Sequence, residues 1–270
     1  MTHAPAAARA LLASVLSVSA LLTTAACSVL GDDTAGPADP ASASVTVPAP
    51  PSASPAAEPS SSAAPDPGLS EEQLQAALIT ETDLGQPWVP TRGVATWRDS
   101  LLKSSTKDAD CRRLLDVLYT EELFGTSAGP RAVVALDDAY SGAQLRYQVA
   151  AYRPAEVDRA LRWLDGLPEK CGEFTATAKK DGVQKVEVDA LALPDTGDAR
   201  QALRITMTGE TPDRQLTRLT MDLAVVRVGE ETITLTNGGF GDVASEVTQV
   251  VVEFGTDRLT EIQKQGRVRV

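Results

Sequence analysis

Histidine is almost absent from this chain of 270 residues, since the one residue of this type is His3. Histidine is the usual general base near neutral pH and a common zinc ligand. A mature protein without His3 has no histidine, which excludes Ser-His-Asp catalysis, Cys-His catalysis and metal binding through histidine. The sequence therefore predicts no catalytic residue, no metal site and no cofactor.

Basic residues are missing between Arg9 and Arg92, and the formal net charge of the chain is −12. Residues 69–270 hold 24 basic and 32 acidic residues, which gives them a charge of −8. Because proteins bind nucleic acid through basic patches that face the phosphates, nucleic acid is not a predicted partner. The acidic balance otherwise indicates a soluble domain.

The N-terminus has the organisation of an export signal. Arg9 precedes an apolar run over residues 10–22, and small residues 23–26 lead to Cys27. The run is shorter than the roughly 20 residues that span a bilayer. This segment resembles the signal of bacterial lipoproteins, although Thr24 stands where that pattern usually has leucine. The resemblance implies that residues 1–26 are removed and that a lipid on Cys27 anchors the protein on the extracellular face of the cell membrane. Ordinary secretion is the alternative.

The cysteine count agrees with a lipid anchor. The chain has three cysteines, so one thiol is left over unless Cys27 is modified. Cys111 and Cys171 then remain as a pair, 60 positions apart. An oxidising compartment favours their disulfide, which contributes on the order of 4 kcal/mol in the chain-entropy model. Two buried free thiols are the alternative.

Residues 27–68 form a linker after the lipidated cysteine. They are rich in Pro, Ala and Ser and contain no aromatic residue, so they bury too little apolar surface to fold. All tryptophan, tyrosine and phenylalanine residues lie in residues 69–270, which are enough for one core. The sequence thus predicts a signal peptide, a disordered linker and one folded head.

Four helices follow from the apolar periodicity of the head. Ser70 to Ile79 begins with a capping box, and Cys111 to Phe124 and Pro154 to Leu164 carry apolar stripes. Asn237 to Asp242 is interpreted as a glycine-rich turn into the last helix, whose inward residues include Val250 and Phe254. Gly255 is expected to kink or break that helix.

The remaining segments alternate apolar and polar residues, which is typical of strands. Short connections favour an antiparallel sheet. We therefore predict an α+β fold with a sheet of about six strands and flanking helices on one side of it. The predicted strands are residues 131–137, 143–152, 174–179, 183–191, 202–208, 216–228 and 232–236.

Three segments give the head a family resemblance. Leu69 to Thr80, the corner from Asp83 to Trp88, and Val226 to Gly229 before the last strand are similar to the extracellular sensor domain of the PknH type. That domain occurs in actinobacterial envelope lipoproteins and in the outer part of some receptor Ser/Thr kinases. The resemblance implies an antiparallel sheet with flanking helices, a cleft, and binding of an extracellular ligand.

Two classes of function remain. The favoured one is a non-catalytic sensor-like module that binds an envelope ligand or a partner protein. The alternative is a cell-wall hydrolase or transferase that uses carboxylates alone. Ser100-x-x-Lys103 and Asp195-Thr196-Gly197 match fragments of catalytic motifs, but the companion motifs are missing from the sequence. The candidate residues for a cleft lining are Trp88, Trp97, Trp163, Tyr147 and Tyr152.

The lipid anchor is tested by replacing Cys27→Ala. We expect this variant to be released into the medium or to stay unprocessed, because alanine has no thiol to carry the lipid. Intact-mass measurement of the membrane-extracted wild-type protein should show a lipidated first residue, Cys27. An unmodified residue at the mature N-terminus would contradict the anchor hypothesis.

Overall fold

The computed structural model describes residues 68–95, 97–127, 129–178, 182–210 and 214–268. The predicted signal peptide, Cys27 and the linker up to residue 67 lie outside the described residues. The fold below is that of the head.

The head contains both helices and strands. The helices are α1 (Glu71–Ala76), α2 (Glu81–Leu84), α3 (Ala109–Thr120), α4 (Pro154–Asp165), α5 (Leu167–Cys171) and α6 (Ser245–Val268), with a π-helical turn at Arg98–Leu102. The strands are β1 (Trp88–Pro90), β2 (Ser104–Ser105), β3 (Arg131–Asp138), β4 (Gln144–Ala151), β5 (Glu173–Ala178), β6 (Gly182–Ala190), β7 (Ala199–Glu210), β8 (Leu216–Val228) and β9 (Glu231–Phe240).

All these strands belong to one antiparallel sheet with the order β1-β3-β4-β9-β8-β7-β6-β5-β2. The fold is thus α+β, as predicted, but the sheet has nine strands rather than about six. The two strands at its edges, β1 and β2, are three and two residues long. Segments this short show no alternation of apolar and polar residues, so the sequence pattern misses them.

Helices cover both faces of the sheet, so the expectation of helices on one side is wrong. Strand β8 illustrates this arrangement. Almost all its residues from Leu219 to Val228 are buried, so both of its faces are covered. Alternate side chains from Leu219 to Val225 join a core with α3, α4 and α5, while Ala224 and Val226 join a second core with α1 and α6. A strand that is apolar on both sides must be covered twice.

The ends of the first helices follow from local capping. The capping box of α1 is confirmed, since Gln73 N donates to Ser70 Oγ over 3.3 Å and Ser70 N donates to Gln73 Oε1 over 2.9 Å. Helix α3 begins before Cys111, because the Asp108 side chain accepts the N–H of Cys111 over 3.0 Å. It ends at Thr120 rather than Phe124, since Glu121 has a left-handed backbone with φ 58°.

Helix α6 is continuous through Gly255, so the predicted kink is wrong. A Cβ on Gly255 would lie 2.4 Å from the hydroxyl of Tyr147. Glycine at this position therefore lets the helix pack directly on the tyrosine ring. The buried stripe of α6 contains Val251 and Leu259, four residues to either side of Gly255.

The helix consequently presents a different face from the predicted one. Val250 and Phe254 were expected inside, but they are 56% and 39% exposed. Apolar residues on α6 offer more than one stripe, and the glycine contact with Tyr147 decides which stripe faces the sheet.

The disulfide between Cys111 and Cys171 is present and joins the start of α3 to the end of α5. The two Cα atoms lie 5.6 Å apart and both side chains are buried. The bond thus fastens two short helices to each other within the core that they share. Among the helices in the described part of the chain, we find none with the length and apolar content needed to cross a bilayer.

The packing of Gly255 predicts that alanine at this position lowers stability, whereas helix propensity alone predicts that it raises stability. Alanine is normally better than glycine inside a helix by roughly 0.5–1 kcal/mol. We expect Gly255→Ala to destabilise the head by about 1–3 kcal/mol, because its methyl group would overlap Tyr147. Urea unfolding measures the change, and Tyr147→Phe should reduce the cost of Gly255→Ala in the double variant. A stabilised Gly255→Ala protein would show that the contact is not close.

Candidate functional site

Strands β4 and β9 carry a polar surface on the face of the sheet shared with α3, α4 and α5. Their pairing places Gln148 opposite Thr234 and Arg146 opposite Thr236. Thr232 precedes them on the same face of β9. We call the surface made by these five residues the polar floor. It arises from the alternation Thr-Ile-Thr-Leu-Thr, which sends Ile233 and Leu235 into the core under α6.

No comparable layer of helices lies over the polar floor in the described structure. On this face α4 packs on β7 and α5 packs on β6. Two loops border the floor instead. In the first, Gly93 O accepts the side-chain amide of Gln144 over 3.1 Å. In the second, the ring of Phe124 lies 4.6 Å from that of Tyr152. Arg146, Thr234 and Thr236 are consequently partly exposed, whereas Gln148 and Thr232 are 5% and 0% exposed.

The polar floor has unused hydrogen-bonding capacity. The hydroxyl oxygens of Thr232 and Thr234 are buried and have no hydrogen-bond partner among the described residues. Trp97 belongs to the core on the same face, and its indole N–H is also buried without a hydrogen-bond partner among the described residues. Buried polar groups are nearly always paired with protein or water. Next to partly exposed residues, such groups are suited to receive water or the polar groups of a ligand.

Two arginines and one glutamate form an ion cluster at the floor. One carboxylate oxygen of Glu121 pairs with Arg98 and the other pairs with Arg146. Arg146 also donates to Gln148 Oε1 over 3.2 Å, and Gln148 donates to the hydroxyl of Tyr152 over 2.9 Å. Burial raises the pKa of Tyr152, so its hydroxyl stays protonated. The cluster therefore holds two guanidinium groups against one carboxylate.

A cavity of about 430 Å³ adjoins the polar floor. Its lining includes Glu122, Thr126, Pro130 and Arg131. Arg131 pairs with Ala150 on β4, and Ala150 pairs with Thr232 on β9, so the cavity continues the row of floor residues across the sheet. Ala150 and Thr232, which lie between the cavity and the partly exposed floor residues, are buried.

A second buried polar network lies on the opposite face and has a structural explanation. Asp222 is fully buried and accepts two hydrogen bonds from Arg204, over 2.8 and 3.1 Å. Thr248 on α6 donates to Asp222 over 2.8 Å, and Asn237 donates to Thr248 over 3.3 Å. These bonds dock α6 on the sheet and satisfy the buried carboxylate.

Most of the glycine-rich segment from Asn237 to Asp242 belongs to strand β9, so its interpretation as a turn is wrong. Strand β9 continues to Phe240. Its glycines allow close packing, since a Cβ on Gly238 would lie 3.0 Å from Met221 and one on Gly239 would lie 3.0 Å from Ala143. Asp242 does not cap α6, which begins at Ser245. Its carboxylate pairs with Arg218 over 3.1 Å.

The residues in the fragments of catalytic motifs make other contacts. Ser100 Oγ donates to Trp97 O over 3.2 Å. A hydrogen bond to Tyr119 raises the pKa of Lys103, which is opposite to the lowered pKa that a lysine base requires. Asp195 is 95% exposed in the turn between β6 and β7, where it pairs with Arg200.

Most of the aromatic residues proposed for a cleft lining serve packing. Trp88 and Tyr147 belong to the core under α6, and Trp97 belongs to the core on the other face. Trp163 donates its indole N–H to Asp110 over 3.1 Å and lies under the guanidinium of Arg113. Tyr152, through Gln148, is the candidate that the structure brings to the polar floor.

One group has the composition of a metal site but not its chemistry. Asp108, Cys111 and Cys171 place possible ligand atoms within 4.8 Å of one another. Both sulfur atoms are in the disulfide, so they offer no thiolate.

Sequence reasoning missed the residues of the polar floor and its ion cluster. Glu121-Glu122 and Glu230-Glu231 are acidic pairs of the kind that is typical of solvated turns and helix ends. Glu121 is instead held between two arginines, and Glu231 is 3% exposed and accepts the N–H of Leu69 over 3.1 Å. The alternation of threonine with isoleucine and leucine on β9 was the available signal.

Two threonine substitutions distinguish the polar floor from the structural network. Thr234→Val removes a hydroxyl with no partner among the described residues, so we expect unchanged or raised stability. Thr248→Val removes a bond to buried Asp222 and should cost about 1–3 kcal/mol. Chemical denaturation of both variants measures this. A loss of stability in Thr234→Val equal to that in Thr248→Val would assign Thr234 a structural role.

Comparisons with known proteins give structural similarity without a sequence match. No family model matches the sequence, and no curated protein matches it either. The structure is similar to the crystal structure of the extracellular domain of PknH from Mycobacterium tuberculosis, with a TM-score of 0.42 and 12% sequence identity. The match covers 73% of this chain and 97% of that one. At this identity the roles of individual residues do not transfer.

Proposed function

We propose that residues 69–270 form a non-catalytic, sensor-like domain that binds an extracellular ligand on the polar floor. The observation that carries this proposal is the combination of partly exposed polar residues with the unpaired hydroxyl groups of Thr232 and Thr234. A strand face that served packing alone would place apolar residues there, as β4 and β9 do on their other face. The ligand is therefore expected to be rich in hydrogen-bonding groups.

The disulfide supports a location outside the cytoplasm. Disulfides persist in oxidising compartments, and Cys111–Cys171 is fully enclosed in a core. Together with the signal-like N-terminus, this bond favours an exported protein. The lipid on Cys27 would hold it at the extracellular face of the membrane.

The linker would act as a tether in this arrangement. A proline-rich chain of about 40 residues reaches roughly 35 Å as a coil and about 120 Å as a continuous polyproline II helix. The head begins beside the turn between β8 and β9, where Leu69 N donates to Glu231. Leu69 packs against the core with α1 and α6, on the face of the sheet opposite to the polar floor.

Binding is favoured over the alternative of a hydrolase or transferase that uses carboxylates alone. Such chemistry needs a carboxyl group with a raised pKa opposite an ionised one. Near the polar floor, Glu121 is engaged by two arginines, and Asp137 accepts from Thr91 over 2.7 Å and from Gln144 over 2.9 Å. These carboxylates serve as fixed acceptors.

The proposal is tested by thermal shift of the full chain against peptidoglycan fragments and envelope lipids, with product formation followed in parallel. A ligand at 100 times its dissociation constant stabilises the fold by about 2.7 kcal/mol. We expect one ligand class to raise the melting temperature without turnover, and Thr234→Val with Thr236→Val to remove the shift.

The matched control is Thr175→Val, the same substitution at an exposed position on β5. It should keep the full thermal shift. Steady turnover of a substrate that a change at Glu122 or Asp137 abolishes without loss of folding would overturn the binding proposal and support the enzyme alternative.

A further inference from the structure

The ion cluster at the polar floor has more positive than negative charge. Arg98 and Arg146 share the single carboxylate of Glu121, and their side chains are 18% and 24% exposed. The adjoining cavity is lined by one residue of each charge, Arg131 and Glu122. Asp137, which borders the floor, accepts hydrogen bonds from the side chains of Thr91 and Gln144. The head as a whole has a charge of −8. A local excess of positive charge in a partly desolvated place attracts anions.

The arginines also keep donors available. A guanidinium group has five N–H donors. Arg146 uses its Nε for Glu121 and one terminal nitrogen for Gln148. Its neighbours on the floor, Thr234 and Thr236, add hydroxyl groups, and that of Thr234 has no partner among the described residues. Guanidinium and hydroxyl donors on one surface are the groups that bind carboxylate and phosphate oxygens.

Glu121 is held in an unusual way. Its backbone has φ 58°, a left-handed conformation that glycine adopts far more readily than glutamate. The strained position directs the carboxylate between the two arginines. Strained residues of this kind cluster at functional sites, where the strain belongs to the mechanism. Glycine would end α3 with less strain, so the choice of glutamate points to its carboxylate.

We infer that the polar floor binds an anionic group of its ligand, a carboxylate or a phosphate, at Arg146 and Arg98, and that Glu121 occupies this place in the free protein. The inference rests on the proposed function, whose ligand site it shares. Glu121 keeps the two like charges together and competes with the incoming anion. The ligand therefore binds with an affinity reduced by this competition, and loss of the Glu121 charge increases it.

The experiment is an NMR titration of the full chain at low ionic strength with three probes. N-acetyl-D-alanine carries a carboxylate, N-acetyl-D-alaninamide is its neutral analogue, and inorganic phosphate is the third. We expect the carboxylate or the phosphate to shift the signals of Thr234 and Thr236 and to bind at least about tenfold more tightly than the neutral amide. The stronger of the two anions identifies the source of the negative group.

Variants test the role of each charge. Glu121→Gln keeps the shape of the side chain but removes the competing charge, so anion affinity should rise about tenfold. Arg146→Gln should abolish anion binding. Arg200→Gln is the matched control, because Arg200 pairs with exposed Asp195 away from the floor, and it should bind as the wild type does. If Glu121→Gln does not fold, Glu121→Gly removes the carboxylate and suits the left-handed backbone.

Two results would overturn the inference. Equal binding of the acid and the amide would show that the floor recognises neutral polar groups. Absence of anion binding in both the wild type and the Glu121 variants would show that the cluster is structural. In either case, a thermal shift with an envelope ligand that depends on Thr234 and Thr236 would leave the proposed function standing.

Discussion

The sheet is wider than the layer of helices on one of its faces, and the polar floor follows from this mismatch. On one face α1 and α6 pack over β3, β8 and β9. On the other face α4 and α5 pack on β7 and β6, with α3 held against α5 by the disulfide. Strands β4 and β9 are therefore left with loops above them. On this face the two strands carry the polar floor, beside buried Ala150 and Tyr152 of the apolar core.

Two contacts keep the opposite face closed, which allows the floor to stay open. Gly255 lets α6 approach the ring of Tyr147, and Thr248 bonds the same helix to buried Asp222. Both contacts lie beneath α6, the first on the back of β4, whose front belongs to the polar floor, and the second on β8, the neighbour of β9. The back of β4 and β9 is thus packed under α6, while their front carries the hydroxyl groups of Thr232 and Thr234, which have no partner among the described residues. Separation of this kind permits a binding site without loss of the core.

Sequence patterns predicted what depends on neighbouring residues. The capping box of Ser70, the stripe of α4 and the seven long strands were all visible as local periodicity. The pairing of Cys111 with Cys171 followed from the count of cysteines. The short edge strands, the second helix layer and the true face of α6 depend on contacts between distant residues. Gly255 illustrates this limit, because its effect comes from Tyr147, more than a hundred positions earlier in the chain.

The candidate site was predicted least, also for a physical reason. Aromatic residues were expected to line a cleft, but Trp88, Trp97 and Tyr147 are used for packing. The polar floor is assembled from ordinary threonine, glutamine and arginine residues that become neighbours through strand pairing. Glu121 gave no signal beyond being acidic, since its partners Arg98 and Arg146 come from separate segments.

Threonine methyl groups offer the most direct test of the account, because they report on both faces of the sheet. NMR spectra of methyl-labelled threonine should be recorded while the full chain is titrated with the small-molecule fraction of the cell envelope. The account predicts shifts at Thr232, Thr234 and Thr236, with Thr220 and Thr248 on the other face unchanged. Shifts confined to Thr220 and Thr248, or saturable binding that leaves all three floor threonines unchanged, would contradict it.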